Sequence, residues 1–143
     1  MRQERIQQFL KAGSQGTIPY EPGTLAYINA VMSRYNAQVF AEILTGEIRT
    51  DAGEIDESVA DKLHSCMELY FAAYAPSQLQ LKQYSILVST YLVCIAKKPL
   101  HPLGMHMQGG CITEQNGIFY CPAKRIEMQT ENSVCRFCVC KNA

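Results

Sequence analysis

Residues Tyr84 to Ala96 read YSILVSTYLVCIA, thirteen positions without a charge, followed at once by Lys97, Lys98 and Pro99. From Ile86 to Ile95 the apolar residues fall on nearly every face of a helix, a pattern stable in water only when other elements cover it all round. A bilayer span needs about 20 mainly apolar residues, so a run of this length predicts a central core helix and no membrane segment. The rest of the chain must then supply its cover.

Three stretches before it have the right periodicity. "RQERIQQFLKAG" places Ile6, Phe9 and Leu10 on one helical face, with Gly13 suited to the left-handed residue after a helix. From Thr24, an N-cap candidate, Leu25, Ile28, Val31, Met32, Tyr35, Val39, Phe40, Ile43 and Leu44 keep a 3.6-residue period up to the stop at Gly46. Asp56 can cap a further helix with the stripe Val59, Leu63, Cys66, Met67, Tyr70, Phe71 and Tyr74. Pro76 ends it. Ser77-Gln78-Leu79-Gln80 has the form of a capping box for the central helix, which is expected to reach about Lys98, where cations suit the negative end of the helix dipole and Pro99 forces a stop.

Beyond Pro99 the texture changes. "PLHPLGMHMQGG" is dense in Pro and Gly and has no helical period, so it reads as a loop. "GCITEQNGIFYCP" then reads as two short strands, Cys111 to Thr113 and Ile118 to Cys121, joined at Asn116-Gly117. No internal repeat and no long linker interrupts the chain. The expected fold is mainly α: a single domain over residues 1–143, with a bundle of about four helices (1–98) and a lobe made of a small C-terminal β-hairpin and a cysteine-rich, metal-binding tail (99–143).

The chain of 143 residues is 48% hydrophobic, enough for one core that needs no disulfides. Thirteen basic and thirteen acidic side chains cancel, which argues against a dedicated nucleic-acid binder and against attraction to a membrane surface. The charge is uneven, however: residues 97–143 carry six Lys or Arg against three Asp or Glu. Met1 to Arg5 is charged and leads into an amphipathic pattern, unlike a signal peptide, so the protein is expected to be cytoplasmic.

Four of the seven cysteines lie in the last 24 residues. Cys135-Arg136-Phe137-Cys138 has the C-x2-C spacing with which one tight turn offers two thiolates to one metal ion. Cys121, fourteen residues upstream on the expected hairpin, is placed to be a third ligand. Tetrahedral zinc asks for one more donor. Cys111, across the hairpin, would make an all-cysteine site; His101, in the Pro-rich loop, would make three thiolates and an imidazole. Cys140 is awkward for the same ion, with a single residue between it and Cys138. Lys124, Arg125, Arg136 and Lys141 would offset the negative charge of bound thiolates and lower the thiol pKa values.

Other uses of these thiols are open. An iron-sulfur cluster on the same three cysteines would give a redox or catalytic centre. The odd cysteine count argues against disulfides, and a cysteine nucleophile or merely buried thiols complete the alternatives. Cys66 and Cys94 fall on apolar helical stretches and read as small core hydrophobes. His64 reads as a surface residue. His106, five residues after His101, reads as a ligand, a proton donor or an exposed side chain. Tyr70, Tyr74, Tyr84 and Tyr91 read as core residues with hydroxyls at the edge, and Phe137 as the side chain that packs the metal lobe onto the bundle.

The combination of His101-Pro102, Gly109-Gly110, Tyr120-Cys121-Pro122 and Cys135 with Cys138 resembles an uncharacterised family of small proteins from methanogenic archaea, a domain of unknown function. The resemblance is concentrated in residues 99–140. It includes no cysteine at the position of Cys111 and so implies His101 as the closing ligand, although this chain does supply Cys111. No activity comes with it.

The expected function is therefore a structural zinc site in a helical adaptor or interaction domain, with Cys121, Cys135, Cys138 and His101 as ligands, Cys111 as the alternative fourth, and the basic C-terminal lobe as a protein-contact surface. The alternative is an iron-sulfur or metal-dependent redox enzyme built on the same cysteines. No acid-base pair identifies catalytic residues.

Overall fold

The computed structural model describes residues 19–45, 56–130 and 133–143. The expected helix at residues 2–13 and the stop at Gly46 lie outside them. Among the described residues the chain is mainly helical, with three long helices: α1 (Leu25–Leu44), α2 (Glu57–Tyr74) and α3 (Leu79–Thr90). Thr24 Oγ1 accepts the Tyr27 N–H at 3.2 Å and Asp56 Oδ1 accepts the Val59 N–H at 3.2 Å. Each cap satisfies one of the N–H groups that a helix start leaves without a partner.

The helices share one apolar core. Val39 of α1, Leu63, Met67 and Phe71 of α2, and Val88 of α3 pack together, with Leu63 fully buried. Past Thr90 the helix widens into a π-helical turn, Tyr91–Ala96, in which Tyr91, Leu92, Val93 and Cys94 are all buried. The all-round cover expected of the apolar run is met over these four residues, whereas in the turn before them Val88 alone is buried and Leu87 is 44% exposed. Cys94 is thus the core residue expected, and no described helix is long and apolar enough to cross a membrane.

Several local expectations give way. Lys97 takes the left-handed conformation with φ 53°, so the helix ends at Ala96, short of Lys98. Lys98 instead approaches Glu42 of α1 at 3.8 Å. The Ser77 capping box does not form: Gln78 is the N-cap of α3, without a side-chain cap bond. Leu25 is exposed at the first position of α1. Tyr70 and Tyr74 are exposed as well, Tyr74 by 75%. Leu63, Met67 and Phe71 take the core face, and Tyr70 lies about 100° round the helix from Phe71. Its ring packs edge-on against Phe71 from outside, with centroids 5.5 Å apart.

The C-terminal lobe holds more strand than its sequence suggests. β1 (His106–Met107) and β2 (Gly110–Cys111) form one antiparallel pair, and β3 (Thr113–Gln115) and β4 (Ile118–Cys121) another. Asn116 and Gly117, at φ 54° and 79°, make the mirror-image turn that matches strand twist. A one-turn helix, α4 (Lys124–Glu127), and a 3-10 turn, Val134–Phe137, follow. The tail then returns as β5 (Lys141–Asn142), parallel to β4.

The expected strand Cys111 to Thr113 is therefore divided between two hairpins. Ile112 is the point of division: its N–H donates to Met105 O at 3.2 Å, and its carbonyl accepts the Gly104 N–H at 2.9 Å. Its side chain is buried with Cys121, Ala123 and Cys140 in a second small core. Cys138 packs against both this cluster and the helical core, and Phe137 packs against the latter, as expected of it.

Candidate metal centre

The second core encloses a cavity of about 10 Å³, room for roughly one water-sized particle. Its walls carry His101, Cys121, Cys135, Cys138 and Cys140, with Leu100, Ile112 and Lys124 between them. The donors arrive on three pieces of backbone. His101 follows the last residues of the helical core, Cys121 ends β4, and Cys135 and Cys138 bracket the 3-10 turn. Ser133 starts that turn, its Oγ accepting the Cys135 N–H at 3.3 Å, and the Cys138 N–H closes it on Cys135 O at 3.1 Å.

The electrostatics of the thiols differ. The Cys138 thiol is held down to about 6, first by the hydrogen bond from the Cys140 thiol, against burial, and then by the N–H groups of Leu100 and Cys140 and the charge of Lys124. The Leu100 N–H reaches the Cys138 sulfur at 3.4 Å. Cys140 moves the opposite way, raised by the same thiol-thiol bond and by burial, so it is the proton-bearing member of the pair. Burial raises Cys135. Burial also lowers His101, which keeps its imidazole neutral and its lone pair available.

Lys124 is drawn inward. Its ammonium donates to Cys138 O at 2.8 Å and also to Cys140 O, strapping the tail to α4. Arg136 donates to Thr130 O at 3.4 Å. Arg125 and Lys141 remain exposed.

Cys111 does not line the cavity. It stands opposite His106 across β1 and β2, with its sulfur 3.4 Å from His106 Nδ1. His64 is on the surface, as expected, with Nε2 2.9 Å from Thr90 Oγ1. Cys140, set apart on spacing alone, belongs to the cavity. Spacing carried no signal for it, because residues 138 and 139 bend between the 3-10 turn and β5.

The donor types suit zinc: thiols, one of them poised as a thiolate, and a neutral imidazole. Among the described residues, however, no three His, Cys, Asp or Glu side chains are grouped closely enough to hold an ion as they stand.

Residues 14–143 match the family described as an uncharacterized protein conserved in archaea, DUF2115. The chain belongs to this family. It is 34% identical over 120 residues to the UPF0305 protein MJ0646 of Methanocaldococcus jannaschii, covering 81% of this chain and 71% of that one. It is also 38% identical over 93 residues to the UPF0305 protein MmarC7_1691 of Methanococcus maripaludis, covering 62% and 54% respectively. Another M. maripaludis relative, MMP0665, is 34% identical over 108 residues, covering 72% of this chain and 66% of its own length. The chain thus spans between about half and seven-tenths of these relatives. No solved structure matches it. The family brings no activity with it, but two of the short elements that marked the resemblance meet in space: a side-chain carbon on Gly109 would stand 3.5 Å from Pro122 Cβ.

Proposed function

We propose that the C-terminal lobe of this family member is organised by one structural zinc ion, held by Cys121, Cys135, Cys138 and His101, within a helical adaptor or interaction domain. The observation that carries this reading is the shared cavity. These four residues span 101–138 of the sequence and line one small space, while Cys111, the other candidate, faces His106. Loading the site turns the thiols and the imidazole toward the cavity centre. Zinc there ties β4, the 3-10 turn and the loop after the helical core together, so its binding energy is folding energy for the tail. The exposed Arg125, Arg136 and Lys141 make this lobe the surface offered to a protein partner.

The test is metal content by elemental analysis of purified protein and its variants. One zinc per chain is expected, lost in Cys138→Ser and His101→Ala and kept in Cys111→Ala. Loss in Cys111→Ala with retention in His101→Ala would sink this ligand set.

The redox reading draws support from Cys140, which gives the same cavity a fourth thiol and so the four-cysteine complement of an iron-sulfur cluster. Anaerobic purification separates the two. A coloured protein with visible charge-transfer bands and iron in place of zinc would favour the cluster.

A further inference from the structure

Away from the cavity, β1 and β2 bring an imidazole and a thiol face to face. His106 and Cys111 are direct cross-strand partners, and Nδ1 lies 3.4 Å from Sγ. The hairpin is held from both sides. Behind His106, the Tyr27 hydroxyl of α1 accepts the His106 backbone N–H at 3.4 Å, and the two rings meet edge-on with centroids 6.2 Å apart. At the turn, Gly109 and Gly110 adopt φ 94° and 144° and pack over Pro122. The imidazole is exposed and the thiol half-buried, so a reagent can reach the pair from solvent.

The other thiols lack this combination. Cys94, Cys121 and Cys140 are buried, and Cys135 and Cys138 face the cavity. Cys66 is half-buried on α2. A thiolate is the reactive form of cysteine, and an adjacent imidazole is one means of generating it.

We propose that Cys111 is a nucleophilic thiol with His106 as its base, a site at which the chain undergoes exchange with small disulfides. His106 Nδ1 takes the thiol proton, and the Cys111 sulfur attacks one sulfur of the disulfide. The new S–S bond forms as the old one breaks. The second sulfur leaves as a thiolate and takes up the proton. One disulfide is consumed and one mixed disulfide is made, so no further oxidant is needed. This inference does not depend on what the cavity binds, but it does require that Cys111 is not a metal ligand.

The experiment is stopped-flow reaction of the native chain with dithiobis-nitrobenzoate, followed by peptide mass mapping of the first-labelled cysteine. Cys111 is expected to carry the fast phase. His106→Gln, which keeps a polar side chain on β1 but has no base, should slow that phase at least about tenfold, with an unchanged urea midpoint. A first label on any other cysteine overturns the proposal without recourse to a variant. So does native-like speed in a folded His106→Gln protein.

Discussion

The backbone N–H of Leu100 donates to the Cys138 sulfur at 3.4 Å, across 38 residues of sequence. Leu100 is a buried member of the helical core, and Cys138 packs against both that core and the second one. The bond is made by main chain, so it fastens the tail thiol to the bundle independently of any side chain at position 100. It is also part of what lowers the Cys138 thiol.

Removing the metal is expected to act locally. With zinc bound as proposed, a chelator should raise amide hydrogen exchange in residues 121–130 and 133–143 while leaving the slow amides of α2 and α3 unchanged, because Leu63, Met67 and Phe71 also pack with Val39 of α1 and Val88 of α3. Exchange that rises equally in the bundle would show the two parts to be one cooperative unit.

Leu63 is the position where the helical core is least forgiving. Its side chain has 0% exposure, so Leu63→Ala should cost about 2–5 kcal/mol, the transfer loss plus a cavity. Leu69, on the same helix but 54% exposed, should change stability by no more than about 0.5 kcal/mol on the same truncation. Urea midpoints of the two variants measure the contrast, and similar losses in both would mean that the outer face of α2 is covered in solution.

Lys124 should matter through its two bonds to carbonyls more than through surface charge. Lys124→Met keeps most of the stem but leaves Cys138 O and Cys140 O without their donor. A loss of about 2 kcal/mol is expected, the scale of hydrogen bonds made by a charged group. Arg125→Met, exposed one residue away, is the control. Denaturant unfolding checks both, and equal effects would argue against the strap.

The helices were legible because their signals are local. Thr24 and Asp56 cap where their side-chain chemistry allows, and the apolar run is buried at Val88 and from Tyr91 to Cys94, although Leu87 within it is exposed. Gln78 in place of Ser77 as N-cap, and Tyr70 and Tyr74 in the open, depend on how one helix faces another, which periodicity does not specify. The same limit applied at the site. Spacing brought Cys121, Cys135 and Cys138 forward with His101 or Cys111 as the fourth donor, the resemblance favoured His101, and these three cysteines and His101 line one cavity. Spacing could not show that Ile112 would divide the expected strand and send Cys111 to His106, since that division rests on bonds to Gly104 and Met105 in a loop without periodicity. Lys124 is one of four cations expected to offset thiolate charge, and its charge does lower the Cys138 thiol; its two bonds to tail carbonyls depend on the returning tail, which spacing does not specify.

Gly109 tests how the first hairpin is held. At φ 94° an L side chain is strained, and its Cβ would also contact Pro122 at 3.5 Å. That distance is ordinary van der Waals contact, so the backbone conformation dominates. Gly109→Ala should cost about 1–2 kcal/mol. Replacing Pro122 with glycine in the same background, which removes that Cβ, should recover little of it once the cost of Pro122→Gly alone is subtracted. Substantial recovery in the double variant, measured by thermal or urea unfolding, would shift the cause to the steric contact.

Tyr35 gives the fold an alkaline limit. Its hydroxyl, on α1, donates to Pro99 O, closing the point where the bundle passes into the lobe. Burial raises its pKa well above the ordinary 10.0, helped by nearby Cys138, Glu42 and Cys140. A folded-state value above the unfolded one means that the unfolded chain loses the proton first. The contribution is therefore complete below about pH 10 and declines as the pH rises through and beyond that value. Tyr35→Phe should cost about 1 kcal/mol near neutral pH, since the Pro99 carbonyl loses its donor. It should also flatten the fall in stability between about pH 9 and about pH 11. Urea midpoints of the native chain and the variant, compared across that range so that the other tyrosines cancel, measure the slope difference. Parallel slopes would place the alkaline loss on other groups and leave Tyr35 with a hydrogen bond alone.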